Sequence, residues 1–166
     1  ARIGARADAV IVVRDTREKA GYAFDAARYE GVTVEDGSLA TGDYSVKGLE
    51  SMVACERKSL ADLTMCLGQE RQRFVRELER ARGMDAFLVV VEAPWSDLAG
   101  GKYRSRLNPH SACQSVISFM AHLRVPFLFV GSRAAGEYAV WSFLHQYLDG
   151  ARKRFQAIVK AHGQAA

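Results

Sequence analysis

Cysteine is scarce in this chain, with 3 among 166 residues. Cys55, Cys66 and Cys113 are odd in number and lack Cys-x-x-Cys spacing, which excludes a disulfide framework and a cysteine zinc site. Buried free thiols in a reducing compartment are expected instead. No apolar run approaches the roughly 18 residues that a membrane span needs. The first residues carry Arg2, Arg6 and Asp8 and no apolar stretch before a small-residue cleavage site, so no secretory signal is expected. Low-complexity tracts and internal repeats are also missing. The 4 histidines, His110, His122, His145 and His162, are scattered without ligand pairing and read as structural or surface residues. A soluble, intracellular protein is expected, cytoplasmic in a bacterial or phage setting and nuclear in a eukaryotic one.

What is present suits one folded domain over residues 1–166. Hydrophobic residues make up 49% and charged residues 25%, so disorder is not expected. The formal net charge is only +4, but the cations are mostly Arg, whose planar fork suits phosphate. They also cluster, as Arg71, Arg73, Arg76, Arg80 and Arg82, then Lys102, Arg104 and Arg106, then Arg152, Lys153 and Arg154. Such local clusters attract a polyanion even when the net charge is small.

The stretch from Gly42 to Asp62 carries the chemistry. Asp43 lies between a glycine and the β-prone Tyr44-Ser45-Val46, and Glu56 and Lys58 end a second β-prone run that starts at Met52. Residues two apart on a strand share a face. Glu56 and Lys58 therefore project together, and a hairpin between the two runs brings Asp43 beside them. Two carboxylates and an ammonium on one edge suit a hard divalent cation with a water next to it, the chemistry of phosphodiester hydrolysis.

Gly42-Asp43 with Glu56-Arg57-Lys58 and Asp62 resembles the GD…ERKxxxD signature of XPF-type structure-selective endonucleases, within the PD-(D/E)xK superfamily. Asp15-Thr16-Arg17-Glu18, after the apolar run 9–13, matches a further family feature, D-x-R-E. The resemblance continues more loosely through Gly100-Gly101 and the helical C-terminal half. It implies a restriction-endonuclease-like nuclease fold acting on branched or flapped DNA with Mg²⁺ or Mn²⁺. Asp15, Asp43 and Glu56 would surround the metal, the Arg57 carbonyl would add a ligand, and Lys58 would orient or help deprotonate the attacking water. Arg17, Glu18, Arg57 and Asp62 are motif positions, and Asp62 equally suits a first-turn helix acid after an N-cap Ser59. Cellular members of the family continue into a tandem helix-hairpin-helix module, and nothing in this sequence matches it. Two alternatives remain open: a catalytically inactive DNA-binding or scaffold subunit, and a sequence-specific restriction-type nuclease.

Along the chain, strands are expected at 9–14, 32–34, 44–46, 52–58, 86–92 and 125–130. One helix is expected from Ser59 to Gly83 on the stripe Leu60, Leu63, Leu67, Phe74, Leu78 and Ala81. Residues 95–108 read as a mobile basic loop. A helix starting at Pro109 would bury Ala112, Val116, Phe119, Met120 and Leu123. A helix is expected at 133–148, and 152–161 continues or follows it past Gly150. This alternation predicts α/β with a mixed central β-sheet flanked by helices.

For DNA contact, Gln69, Arg71 and Arg73 come early enough in their helix to approach the cleft, although Glu70, Glu77 and Glu79 also allow a solvated, ion-paired face. Lys102, Arg104 and Arg106 would contact phosphate, with no acid nearby to neutralise them, and Tyr103 would stack on an unpaired base. Trp141, Phe143, Tyr147 and Phe155 occupy more than one helical face. Either deep burial or pairing, as a homodimer or heterodimer through the C-terminal helices, accounts for them.

Overall fold

The computed structural model describes residues 9–163; Arg2, Arg6 and Asp8 lie outside them. Its six strands are β1 (Val10–Asp15), β2 (Val32–Gly37), β3 (Tyr44–Val46), β4 (Val53–Lys58), β5 (Ala86–Val91) and β6 (Phe127–Phe129). They form one sheet in the order β2-β1-β3-β4-β5-β6. The short β3 is antiparallel to both neighbours, whereas β1/β2, β4/β5 and β5/β6 are parallel. The mixed sheet expected from sequence is present, including the 44–46/52–58 hairpin.

Strand alternation divides the core in two. On one face Ala54, Phe87, Val89 and Val91 pack against α1 (Leu60–Leu67), α2 (Arg71–Arg82), α3 (Trp95–Ala99) and α4 (Pro109–Ser118). On the other, Val53, Cys55, Leu88 and Val90 meet α5 (Arg133–His162) and the buried aromatics Tyr22, Phe24 and Tyr29. Each fully buried Leu or Phe contributes on the order of 1.5–3 kcal/mol of transfer free energy, so the two layers hold the sheet rigid between them.

Several expected elements differ. The single helix 59–83 is two helices, broken at Gly68, whose φ of −111° and ψ of −102° are not helical. Ser59 caps α1 as expected, its Oγ accepting from the Asp62 N–H at 3.1 Å. The expected buried strand 125–130 is the edge strand β6, and Leu128 is 45% exposed. An edge strand has one neighbour and one covered side, which its apolar composition does not reveal. The 95–108 loop contains α3, and Met120 faces outward because a π-helical turn, Phe119–Leu123, continues α4 and shifts the register. Of the two readings of the C-terminal segments the continuous one holds, a single 30-residue helix, α5. A glycine inside a helix costs only about 1 kcal/mol, so Gly150, half-buried, does not interrupt it.

Candidate active site

Three strands bring the acidic motif together. The Asp15 N–H donates to the Asp43 carbonyl at 2.8 Å, and the Asp43 N–H donates to the Cys55 carbonyl at 2.8 Å. The backbone thus stitches the end of β1, the start of β3 and β4 at one sheet edge. Gly42 is required for this. Its φ is +87°, and a Cβ there would lie 2.9 Å from the Ala54 Cβ and 3.1 Å from the Cys55 carbonyl.

Asp15, Asp43, Glu56 and Lys58 line a cleft of about 240 Å³ whose other wall is α2. The four acids and bases of that wall, Glu70, Arg73, Glu77 and Arg80, follow 3-4-3 spacing and hold one helical face. Asp43 accepts from the Arg57 N–H at 2.8 Å. Burial nevertheless raises its pKa to about 6, and the nearby Glu18 charge adds to the rise. Glu56 is pushed well up, first by burial and then by the Asp43 charge. Lys58 Nζ lies 2.8 Å from Glu56 Oε1 and 5.6 Å from the centre of the Phe74 ring. Burial works against its charge, but Glu56 overcomes that and raises its pKa, so Lys58 is an ammonium at neutral pH.

Asp15, the third carboxylate expected around a metal, is engaged by protein donors. Its Oδ1 accepts from the Arg17 N–H and Nε, both at 2.8 Å, and its Oδ2 accepts from Arg17 Nη2 at 3.0 Å and the Leu39 N–H at 2.8 Å. Burial opposes the charge, yet these donors hold the pKa down at about 2. Asp15 lies on the cleft wall with both oxygens engaged, because the D-x-R spacing returns Arg17 onto it.

Arg57 departs more sharply. It alternates with Glu56 and Lys58, so its side chain emerges on the opposite face of the sheet. There Nε and Nη2 each donate to Glu18 at 2.9 Å, and Nη1 donates to Glu92. On the cleft side its main-chain N–H donates to Asp43 Oδ2. Glu18 is likewise a partner of Arg57, which draws its pKa down against the opposing effect of burial.

The remaining expected residues are spread around this centre. Asp62 is exposed and accepts from Ser59 Oγ at 2.7 Å, the first-turn helix role. Gln69 is exposed at the helix break. Arg71 donates to Ser115 Oγ at 2.8 Å and lies over Phe119, outside the cleft lining. Arg73 and Arg80 are in that lining. Lys102 has a neutralising acid after all, Asp97 at 3.5 Å. Tyr103 is half-buried, packs on the edge of the core and donates to the Leu107 carbonyl at 2.8 Å. Arg104 and Arg106 are exposed, and His145 stacks on Trp141.

Sequence reasoning took Glu77 as a solvated partner of the Arg cluster, set Arg80 behind Arg71 and Arg73, and missed Glu92. The 3-4-3 spacing was the available signal for the first two. Glu92 stands 35 residues from its partner Arg57, beyond any local pattern.

The donor set fits a hard cation. Asp43 and Glu56 offer carboxylate oxygens and disfavour each other's charge, a repulsion that a divalent ion relieves. Among the described residues no three Asp, Glu, His or Cys side chains form a ready cage.

A mixed sheet with GD and ERK residues meeting at one edge defines an α/β domain of the XPF nuclease type. The ERCC4 domain matches residues 14–138, and the chain belongs to that family. Its fold is similar to XPF from Aeropyrum pernix, with a TM-score of 0.65 and 20% identity over 82% of this chain and 61% of that one. It is also similar to XPF from Aeropyrum pernix in complex with DNA, with a TM-score of 0.65 and 19% identity over 85% and 66% of the two chains. The chain therefore spans about three fifths to two thirds of the length of these structures. No curated protein matches it. Among the described residues no helix is long and apolar enough to cross a membrane.

Proposed function

We propose that this domain is an endonuclease that hydrolyses DNA phosphodiester bonds with Mg²⁺ or Mn²⁺ held by Asp43 and Glu56. The observation that carries this reading is the pairing of two desolvated carboxylates with one ammonium in a cleft walled by Arg73 and Arg80. A bound divalent ion would polarise a non-bridging phosphate oxygen and lower the pKa of a coordinated water. Lys58, charged at neutral pH, is a poor general base; its ammonium orients the nucleophile and offsets negative charge developing on the phosphorus oxygens. Asp15 holds Arg17 at the cleft mouth, where the guanidinium is open to a phosphate.

Branched or flapped DNA is the substrate we favour, on family membership. Arg73, Arg80, Arg104 and Arg106 are the phosphate contacts. We also propose pairing through α5, where Phe155 is 67% and Ile158 59% exposed, with a second copy or a related chain as partner. An inactive scaffold is disfavoured by the filled motif and the intact Asp43–Glu56–Lys58 grouping. The test is to incubate the protein with labelled flap, fork, duplex and single-stranded DNA, with Mn²⁺ or with EDTA. Metal-dependent cutting of branched substrates is expected. Binding without cutting in Mn²⁺ would establish the scaffold reading, and defined fragments from a plasmid would establish a restriction-type nuclease.

A further inference from the structure

The geometry points to Glu92 as a positioning residue for Asp43, acting through Arg57; this rests on the nuclease reading above. Arg57 has two separate duties. Its main-chain N–H donates to Asp43 Oδ2 at 2.8 Å on the cleft side, and its guanidinium is clamped on the far side of the sheet between Glu18 and Glu92. The three side chains are nearly sealed, with exposures of 12% for Arg57, 5% for Glu18 and 10% for Glu92. Glu18 takes two donors of the planar fork and Glu92 takes a third. With donors fixed in one plane, the guanidinium has no freedom to rotate.

Each clamp is anchored by the backbone to a part of the site. The Glu18 N–H donates to the Asp15 carbonyl at 3.1 Å, and the Glu92 N–H donates to the Lys58 carbonyl at 2.9 Å. Glu92 therefore touches both sides of the residue that carries Asp43: the Arg57 side chain and the Lys58 main chain. Its remaining charged neighbour is Arg133 on α5, 3.9 Å away and half exposed.

Charge balance separates this role from that of a plain counter-ion. Glu18 alone would neutralise Arg57, and the second carboxylate makes the buried group net negative until Arg133 is added. Arg133, half exposed and 3.9 Å away, balances that charge without requiring Glu92 to sit against Arg57; the direct contact is accounted for by geometry, since it fixes the far end of a side chain whose near end holds a ligand-bearing carboxylate. Partners of this indirect kind alter activity by about 10- to 100-fold when removed.

The experiment compares wild type, Glu92→Gln, Glu18→Gln and the double variant. Single-turnover cleavage, DNA affinity, thermal melting and hydrogen exchange at the Arg57 amide are measured on each. Glu92→Gln is expected to slow cleavage about tenfold with DNA affinity within about twofold. The Arg57 amide should exchange faster relative to its β4 neighbours. The double variant should lose less than the product of the single losses, since both act on one guanidinium. An unchanged cleavage rate and Arg57 protection in Glu92→Gln would overturn the proposal. So would a uniform loss of protection across β4 that tracks the melting temperature. If Glu92→Gln does not fold, Glu18→Gln is read in the same way; failure of both to fold assigns Glu92 to the core and overturns the proposal. A wild type that cuts no DNA would refute the nuclease reading alone, and Arg57 exchange would still decide the positioning.

Discussion

Asp15 and Asp43 are joined by a backbone hydrogen bond of 2.8 Å, yet their carboxyls have opposite proton affinities. Asp15 is held at about 2 and Asp43 is raised to about 6, each from 3.8. The folded chain therefore binds extra protons at Asp43 between pH 3.8 and about 6. Its ionisation penalises folding above that window, and the penalty disappears as pH falls through it. Asp15 has the other sign: its stabilisation is complete above pH 3.8 and is lost as pH falls towards 2. At neutral pH, Asp43→Asn should stabilise the domain by on the order of 2–3 kcal/mol. Asp15→Asn should destabilise it by about 1–2 kcal/mol, a smaller figure because Arg17 is open to water. Urea unfolding at pH 7 checks both, and equal signs would contradict the assignment.

Removing the ligand carboxylates should abolish chemistry without unfolding. Asp43→Ala and Glu56→Ala are each expected to lose about 10²-fold or more in cleavage, roughly 2.7 kcal/mol or more of barrier, and EDTA should stop the wild type. Cleavage that persists in EDTA would remove the metal mechanism.

Binding and chemistry should separate. Lys58→Ala is expected to bind DNA nearly as wild type and cut it far more slowly. Replacing Lys102, Arg104 and Arg106 together should weaken binding and flatten its salt dependence by up to about three counterions' worth of slope. The Asp97 partner makes Lys102 the smallest contributor of the three. An unchanged salt slope would show that this loop does not reach the DNA backbone.

On α5, Phe155→Glu with Ile158→Glu should convert a dimer to a monomer in light scattering while leaving the melting temperature in place. Trp141→Ala should lower that temperature by removing a buried side chain, a change worth about 3–5 kcal/mol. A monomer mass for the wild type at micromolar concentration, with or without DNA, would exclude pairing.

Much of the site was legible because its grammar is local. Two-residue alternation placed Glu56 and Lys58 together, and Gly42 marked the turn that delivers Asp43. The same alternation also implied the reversed direction of Arg57, but a contiguous Glu-Arg-Lys motif invites reading all three as one cluster. The D-x-R-E motif put Asp15 at the cleft, where it lies, but its engagement was not legible, because the Leu39 N–H that binds it arrives from 24 residues away. The break at Gly68 was hidden for a different reason. Leu67 and Phe74 are seven residues apart, which holds a helical face whether or not the helix is continuous. The polar Glu70 and Arg71 at the missing apolar step were the trace of the break.

The two-sided use of β4 sets where the chain can tolerate length variation. Inserting one residue between Cys55 and Glu56 would exchange the faces, sending a motif carboxylate into the Glu18–Glu92 clamp and the guanidinium into the cleft. The gap between α1 and α2 is the opposite case. Helical hydrogen bonding is already interrupted there, so a lengthened 68–70 segment would reposition Arg73, Glu77 and Arg80 over the cleft and leave Asp43, Glu56 and Lys58 in place. Relatives should therefore show an invariant spacing within β4 and a variable one before α2, with reach over the substrate adjusted by indel and the reacting centre held constant.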